Sequence, residues 1–317
     1  MHPNFRPRGV VWPPVDALRS RLVELGFAPA AVAPLAGDAS QRRFFRVALT
    51  GGGTVVAALY PAALAEQAGR DHAVQEWGFR RGLPIPRPLA AGGEVTVSED
   101  LGDVDLQRAL AAGDEAMPAA LEALGAFQAS GWDGLPTPPF DAAFFRRELA
   151  GFEAFTVGPG ADPAIAPWLD ALAARVAGHP QRLVHRDFHV NNLFLRDGRV
   201  LAVDFQDMRA GPDTYDLASL LRERAGAELI AAEASWKERA ARGFDWAAGW
   251  ERRYLECAAQ RGLKVIGTFL RLASQGRRHY LDWVPPVVQR TLEALGAIDA
   301  PAPLCAAAAA AGRTAGL

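Results

Sequence analysis

An α+β chain of two lobes is the fold class the sequence predicts, and three observations carry that expectation. The 317 residues exceed the usual size of a single hydrophobic core, so two lobes are the default. Strand-like runs around one helix dominate residues 1–102, which predicts a β-rich N-terminal lobe. Helical spacing of Leu and Phe dominates residues 103–317, which predicts an α-rich C-terminal lobe meeting the first near Gly102.

Taken in order, Asp16–Gly26 places Leu18, Leu22 and Leu25 at helical spacing, and Gly26 closes the helix. Arg43–Leu49 and Thr54–Tyr60 read as strands joined by Thr50-Gly51-Gly52-Gly53, a hairpin signal. The triple glycine lacks the flanking pattern of a phosphate loop, so it reads as a turn. A helix over Pro61–Arg81 ends at Gly82 and Pro84, and a strand at Glu94–Glu99 runs into Asp100-Leu101-Gly102-Asp103. Helices are expected at Asp105–Ala112, Met117–Ser130 and Asp141–Phe155, then through Trp168, Leu172 and Val176 after Gly158-Pro159-Gly160. Strands at Arg182–His185, Leu193–Leu195 and Val200–Phe205 frame a polar loop, and long helices should fill Asp216–Arg242 and Asp245–Gln275. The stretch Ala300–Leu317 is expected to be disordered or a loosely docked helix.

Composition excludes several classes of function. Half of the residues are apolar, 22% are charged and the net charge is −2, which gives no broad attraction for nucleic acid or anionic lipid. Cys257 and Cys305 are the only cysteines and form no C-x-x-C pair, so a disulfide framework or a cysteine zinc site is not expected. The N-terminus carries Pro3, Pro7, Pro13 and Pro14 without the apolar segment of a signal peptide. No run approaches the roughly 18 uncharged apolar residues of a membrane span. A cytoplasmic, soluble monomer is the expectation. Basic residues are nearly all arginine, with lysine at Lys237 and Lys264 alone.

The densest polar cluster is His185-Arg186-Asp187-Phe188-His189-Val190-Asn191-Asn192, gripped by Leu183-Val184 before it and Leu193-Phe194 after it. Val203-Asp204-Phe205 follows, with Asp204 twelve residues beyond Asn192. Phosphoryl transfer needs a carboxylate to orient and deprotonate a hydroxyl, hard oxygen ligands for magnesium, and rigid placement of both. The spacing H-R-D-x-x-x-x-N followed by V-D-F supplies each part. Asp187 is the expected base, and Asn192 and Asp204 are the expected ligands of Mg2+. A P-loop reading fails, because no G-x-x-x-x-G-K occurs. His189 has no second His or Cys near it in sequence, so zinc is not expected there.

These motifs resemble the aminoglycoside phosphotransferase and choline kinase superfamily, which has a protein-kinase-like bilobal fold. The resemblance runs from about Leu35 to Pro286. Within it the chain is most similar to bacterial cell-wall sugar kinases that phosphorylate the anomeric hydroxyl of N-acetylmuramate and N-acetylglucosamine. The segments that carry this narrower likeness are Gly37–Val47, Glu99–Asp103, His185–Asn192, Asp204–Asp207, Gly211–Leu221 and Leu263–Gly267. The resemblance implies ATP and Mg2+ as cofactors, a small-molecule amino sugar as partner and a place in peptidoglycan recycling. It implies that His185 and Asp216 are structural braces of the catalytic loop; Asp216 also suits a helix N-cap. His189, Asn191, Gln206 and Asp207 are candidate substrate contacts. Adenine is expected at the hinge, Glu99 and Leu101 included, through main-chain groups.

Two departures bear on phosphate binding. The strand that carries a phosphate-holding lysine in protein kinases reads Thr54-Val55-Val56-Ala57-Ala58-Leu59-Tyr60, with none. The loop before the preceding strand has Gly37 alone, although Ala39 and Ser40 are small enough for backbone amides to reach a phosphate. Arginine can grip phosphate bidentately, so Arg43 and Arg46 are the expected replacements, with Arg43 preferred as nearer the loop. A solvated strand face is the alternative for Arg42, Arg43 and Arg46. Two other readings stay open: a kinase for an aminoglycoside, choline or homoserine, and a pseudokinase that binds nucleotide only. The arginines of Trp236–Arg278 favour an anionic or neutral acceptor over a polycation.

Overall fold

Leu18 and Leu22 sit four residues apart, on one face of the first helix, and both are fully buried. That spacing is why α1 (Val15–Glu24) lies with its apolar stripe against the sheet that follows. The structure, a computed structural model, describes residues 12–35, 42–113, 115–158 and 162–315. The prolines before residue 12, the loop 36–41 with its candidate Ser40, and Pro159-Gly160 lie outside the described residues.

The sheet has five antiparallel strands in the order β1-β2-β3-β5-β4. They are β1 (Pro29–Pro34), β2 (Arg43–Leu49), β3 (Thr54–Leu59), β4 (Pro88–Gly92) and β5 (Val95–Glu99). Sequence reading found β2, β3 and β5 and missed β1 and β4. Both of those are alanine- and proline-bearing edge strands, a position where proline costs no ladder bond. The β2–β3 turn uses Gly52 and Gly53 at φ +89° and +79°, a conformation glycine adopts without strain. Period-2 alternation divides the sheet's faces. Phe45, Val47, Val55, Ala57, Leu59, Val95 and Val97 form one core with α1, whereas Ala58 and Tyr60 turn to the other face.

On that other face lies α2 (Ala65–Arg80), which follows a 3-10 turn at Ala62–Leu64. Ala68 packs near Tyr60 under the sheet, while Val74 and Trp77 enter the large helical core with Leu83 and Ile85. One helix thus spans both hydrophobic cores.

Beyond Gly102 the chain forms α3 (Leu106–Ala111), α4 (Met117–Ala129), α5 (Ala142–Thr156) and α6 (Ile165–Ala177). Asp105 and Asp141 cap α3 and α5 through the amides of Arg108 and Phe144, at 2.8 and 2.6 Å. Two small antiparallel pairs follow: β6 (Gln181–Val184) with β9 (Arg209–Pro212), and β7 (Leu193–Arg196) with β8 (Arg199–Ala202). The expected helix over Asp216–Arg242 is three helices: α7 (Tyr215–Arg222), α8 (Ala227–Ala231) and α9 (Glu233–Gly243). The first break has Arg224 at φ +54° and Gly226 as the next N-cap. The long helix α10 (Trp250–Ser274) starts after Gly249 rather than at Asp245. Then come α11 (Val284–Ala297) and α12 (Ala302–Ala315). The alanine-rich tail is therefore a docked helix, with Leu304, Ala308 and Ala311 buried and Gly312 against Val288 of α11. Among the described residues no helix is long and apolar enough to cross a membrane.

Candidate active site

The polar loop is built from its buried flanks outward. Leu183 and Val184 on β6 are fully buried and bring the chain to His185 at the floor of the site. The carboxylate of Asp216, in the first turn of α7, accepts two successive backbone amides, His185 at 2.5 Å and Arg186 at 2.9 Å. Arg186 stands at φ +84°, a costly conformation for a bulky side chain. Asp216 holds it there, and Arg261 donates to the Arg186 carbonyl. The His185 ring packs edge-on between Phe127 and Phe188, with centroids 5.6 and 5.8 Å away. Burial pulls the His185 imidazole down to about 4, which leaves it neutral. Burial also pushes the Asp216 carboxyl up to about 7, against the opposing pull of the two amides and Arg261.

This bracing presents Asp187 with 27% of its side chain exposed. Arg261 Nη2 and Lys264 Nζ both stand 3.5 Å from Asp187 Oδ1. Arg186 bridges Glu148 of α5 at 3.1 Å and Asp207 at 2.6 Å. Glu148 also takes Lys264 at 3.5 Å and Gln260 at 3.1 Å. Burial by itself would raise the Asp187 carboxyl, but the charges of Lys264, Arg186 and Arg261 outweigh it and hold it well below the usual range. Asp187 is accordingly an ionised acceptor. Such a carboxylate orients a hydroxyl by hydrogen bonding and takes its proton late, as a loose phosphoryl-transfer transition state requires.

Asn192 and Asp204 are tied to the loop through the backbone. Asn192 Nδ2 donates to the Asp187 carbonyl at 2.9 Å, which leaves its side-chain oxygen as the donor available to a cation. The Val203 amide donates to the Asn192 carbonyl at 2.8 Å, and Asp204 follows in the left-handed region at φ +67°. Asp204 Oδ1 already attracts a cationic group, the Arg42 guanidinium. One carboxylate and one amide oxygen fit a magnesium ion that draws its remaining ligands from phosphate and water.

Of the arginines ahead of the sheet core, Arg42 reaches this site. Its Nη1 donates to Gln206 Oε1 at 2.8 Å and stands 3.5 Å from Asp71 of α2. Asp71 in turn accepts the Tyr60 hydroxyl at 2.7 Å. Arg43 and Arg46, the arginines expected on the phosphates, make other contacts. Arg43 shares the core-facing side of β2 with Phe45 and lies over the Phe45 and Trp12 rings. Arg46 is on the cleft side, yet its guanidinium goes to Asp100 at 2.6 Å, Asp103 at 2.9 Å and the Gly102 carbonyl at 3.0 Å. It locks the hinge instead. The signal for Arg42 was strand alternation, which puts 42, 44 and 46 on one face once Phe45 is known to be core.

At the hinge, Glu99 accepts the Arg87 amide at 3.0 Å, Leu101 is buried, and Arg196 donates to the Asp100 carbonyl at 2.9 Å. Gln206 donates to Asp204 at 3.0 Å. Asp207 sits on the Asp187 side through Arg186. His189 lies within the loop, where burial lowers its imidazole pKa. Asn191 turns outward to Gln107 of α3 and to Arg224, so the structure does not bring it to Asp187. Sequence reading gave no role to Lys264, Glu148 or Gln260. Lys264 had two signals, as one of two lysines in the chain and as part of the resemblance segment Leu263–Gly267, whereas Glu148 and Gln260 carried none.

A β-sheet lobe, a helical lobe and a carboxylate loop facing a carboxylate–amide pair define an enzyme that transfers phosphate to an alcohol. Residues 31–255 match the phosphotransferase enzyme family, and the chain belongs to it. The chain is 31% identical over 281 residues to an N-acetylmuramate/N-acetylglucosamine kinase of Pseudomonas aeruginosa, covering 81% of each chain. It is 30% identical over 277 residues to the enzyme of that name from Neisseria meningitidis, covering 79% of this chain and 81% of the relative. Its fold matches a choline/ethanolamine kinase family protein from Mesorhizobium loti with a TM-score of 0.63, at 18% identity, over 95% and 99% of the two chains.

Proposed function

We propose that this enzyme phosphorylates the anomeric hydroxyl of N-acetylmuramate or N-acetylglucosamine with ATP, giving the sugar 1-phosphate. The observation that carries the reading is the identity of about 30% to two kinases named for these sugars, over four-fifths of the chain. Adenine would lie at the hinge beside Glu99 and Leu101, and the phosphates would point toward Asp204. Magnesium, when bound by Asn192 and Asp204, would neutralise the phosphate oxygens. Asp187 accepts a hydrogen bond from the anomeric hydroxyl, aligns its oxygen with the phosphorus and takes its proton. An anomeric hydroxyl is more acidic than an ordinary alcohol, so a carboxylate of low basicity suffices. Lys264 and Arg186 flank that acceptor position, a setting that suits an anionic sugar such as N-acetylmuramate better than a polycation. Asp207 and His189 are the nearby groups available to sugar hydroxyls. A role in peptidoglycan recycling places the reaction in the cytoplasm, where ATP is.

The test is an ATP-consumption assay over both amino sugars, their methyl glycosides, aminoglycosides, choline and homoserine, with phosphorus NMR of the product. The free sugars should turn over and the methyl glycosides, which lack the anomeric hydroxyl, should not. Turnover of a methyl glycoside would move the phosphate to another position. Turnover of choline or an aminoglycoside alone would remove the sugar assignment.

A further inference from the structure

Arg42 is held by two carboxylates from opposite sides of the cleft. Its Nη2 lies on Asp204 Oδ1, and its Nη1 contacts Gln206 at 2.8 Å and approaches Asp71 of α2 at 3.5 Å. Only 13% of its side chain is exposed. The neighbouring strand β3 carries no lysine, and an acidic residue of α2 already has an arginine where protein kinases pair a strand lysine with a helix glutamate. The guanidinium sits on one oxygen of the carboxylate that a magnesium ion would need, so the two cations compete for the charge of Asp204.

We infer that Arg42 is both the phosphate-gripping cation of this chain and the interlock of its metal site. It occupies Asp204 in the free enzyme. Arriving phosphates draw the guanidinium off, and Asp204 is released to the metal at the same moment. Asp71, which accepts the Tyr60 hydroxyl at 2.7 Å, is the second carboxylate holding the arginine through this exchange. The inference rests on the proposal that the enzyme uses ATP and magnesium.

The test uses the full chain and two binding measurements: Mn2+ affinity without nucleotide, by electron paramagnetic resonance, and MgATP affinity by calorimetry. Arg42→Ala should bind free Mn2+ several-fold more tightly, because Asp204 has lost its internal cation. It should bind MgATP about ten- to a hundredfold more weakly, the loss of one or two charge-assisted bonds. Arg42→Lys should fall between wild type and Arg42→Ala in both. Asp71→Asn, which removes the competing carboxylate, should commit Arg42 to Asp204 and weaken free Mn2+ binding. A residue with a merely structural role would weaken both affinities together. Unchanged or weaker Mn2+ binding in Arg42→Ala overturns the interlock, and unchanged MgATP binding overturns the phosphate contact. A wild-type chain that binds no MgATP removes the ATP reading itself, a result distinct from either.

Discussion

Lys264 Nζ stands 3.5 Å from the Asp187 carboxylate and an equal 3.5 Å from Glu148. One of the chain's two lysines is thus placed between the proposed base and a half-buried acid on the facing helix. Lys264 is the first of the charges that hold the Asp187 carboxyl low against the effect of burial. A group lowered in the folded state stays ionised down to its folded pKa, so its contribution is present above the unfolded value and lost only as pH falls through the folded one. Turnover with saturating magnesium should therefore show no acid limb from Asp187 between about pH 5 and 8. Lys264→Met should bring that limb into view, because the carboxyl moves up when the foremost of its opposing charges goes. A pH–rate profile of the two proteins checks this, and superimposable profiles would show that Lys264 does not tune the base.

The same lysine bears on the choice of sugar. If its ammonium faces the acceptor, Lys264→Met should raise KM for N-acetylmuramate by about tenfold, one charge-assisted contact, and leave KM for the uncharged N-acetylglucosamine within about twofold of wild type. Equal losses on both sugars would place Lys264 on the transferred phosphate instead.

Asp187→Asn keeps the shape of the loop and removes the proton acceptor. Turnover should fall by about a hundredfold or more, the range of a lost general base, while MgATP still binds. Asp204→Ala should instead abolish the magnesium-dependent part of ATP binding. Measured together by calorimetry and steady-state kinetics, the two variants separate chemistry from metal binding. Full turnover in Asp187→Asn would leave that residue a positioning role only.

The parts of this molecule that were legible in the sequence are those where local pattern and tertiary environment agree. Leu18 and Leu22 announced α1, and the apolar pairs around His185–Asn192 announced a loop held by its ends. β1 and β4 were not legible, because Pro29-Ala30-Ala31 and Pro88-Leu89-Ala90 carry no strand preference and are strands only through their neighbours' ladders. Arg42 was missed for a different reason. Phe44 and Phe45 both look like core, and which of them faces α1 decides which arginines face the cleft. Only packing settles that, with Phe45 at 2% exposure. Glu148 and Gln260 lie 112 residues apart, and the crossing of α5 and α10 that joins them has no signature in either helix alone.

Asp216 makes the loop's geometry testable without touching the reacting groups. An asparagine in its place can accept one of the two amides but presents an NH2 to the other. Asp216→Asn should cost about 1–3 kcal/mol, the range for a buried donor left unmade, visible as a lower unfolding midpoint. It should also lower kcat more than it raises KM for ATP, since Asp187 is displaced while the hinge is untouched. An unaltered kcat would show that Arg186 keeps its φ of +84° without this brace.

The crossing that assembles the acceptor side depends on Gly267. A Cβ built there would lie 2.3 Å from the Phe152 amide nitrogen and 2.5 Å from the Gly151 carbonyl carbon. Both are backbone atoms of α5 and cannot rotate away as a side chain could. Glycine at 267 is therefore what lets α10 approach α5 closely enough for Gln260 and Lys264 to reach Glu148. Gly267→Ala must push the helices apart or bend one of them, an overpacking cost of about 1–3 kcal/mol or more. The separation acts along both helices, so Lys264 should also lose its hold near Asp187 and turnover should fall with stability. Gly69 in α2 is the control, exposed and with nothing within 4 Å of an added Cβ. Gly69→Ala should be neutral or stabilise by about 0.5–1 kcal/mol through backbone entropy. Thermal unfolding of the two variants beside wild type decides the matter, and a Gly267→Ala protein that melts at the wild-type temperature would mean that α5 and α10 do not meet backbone to backbone.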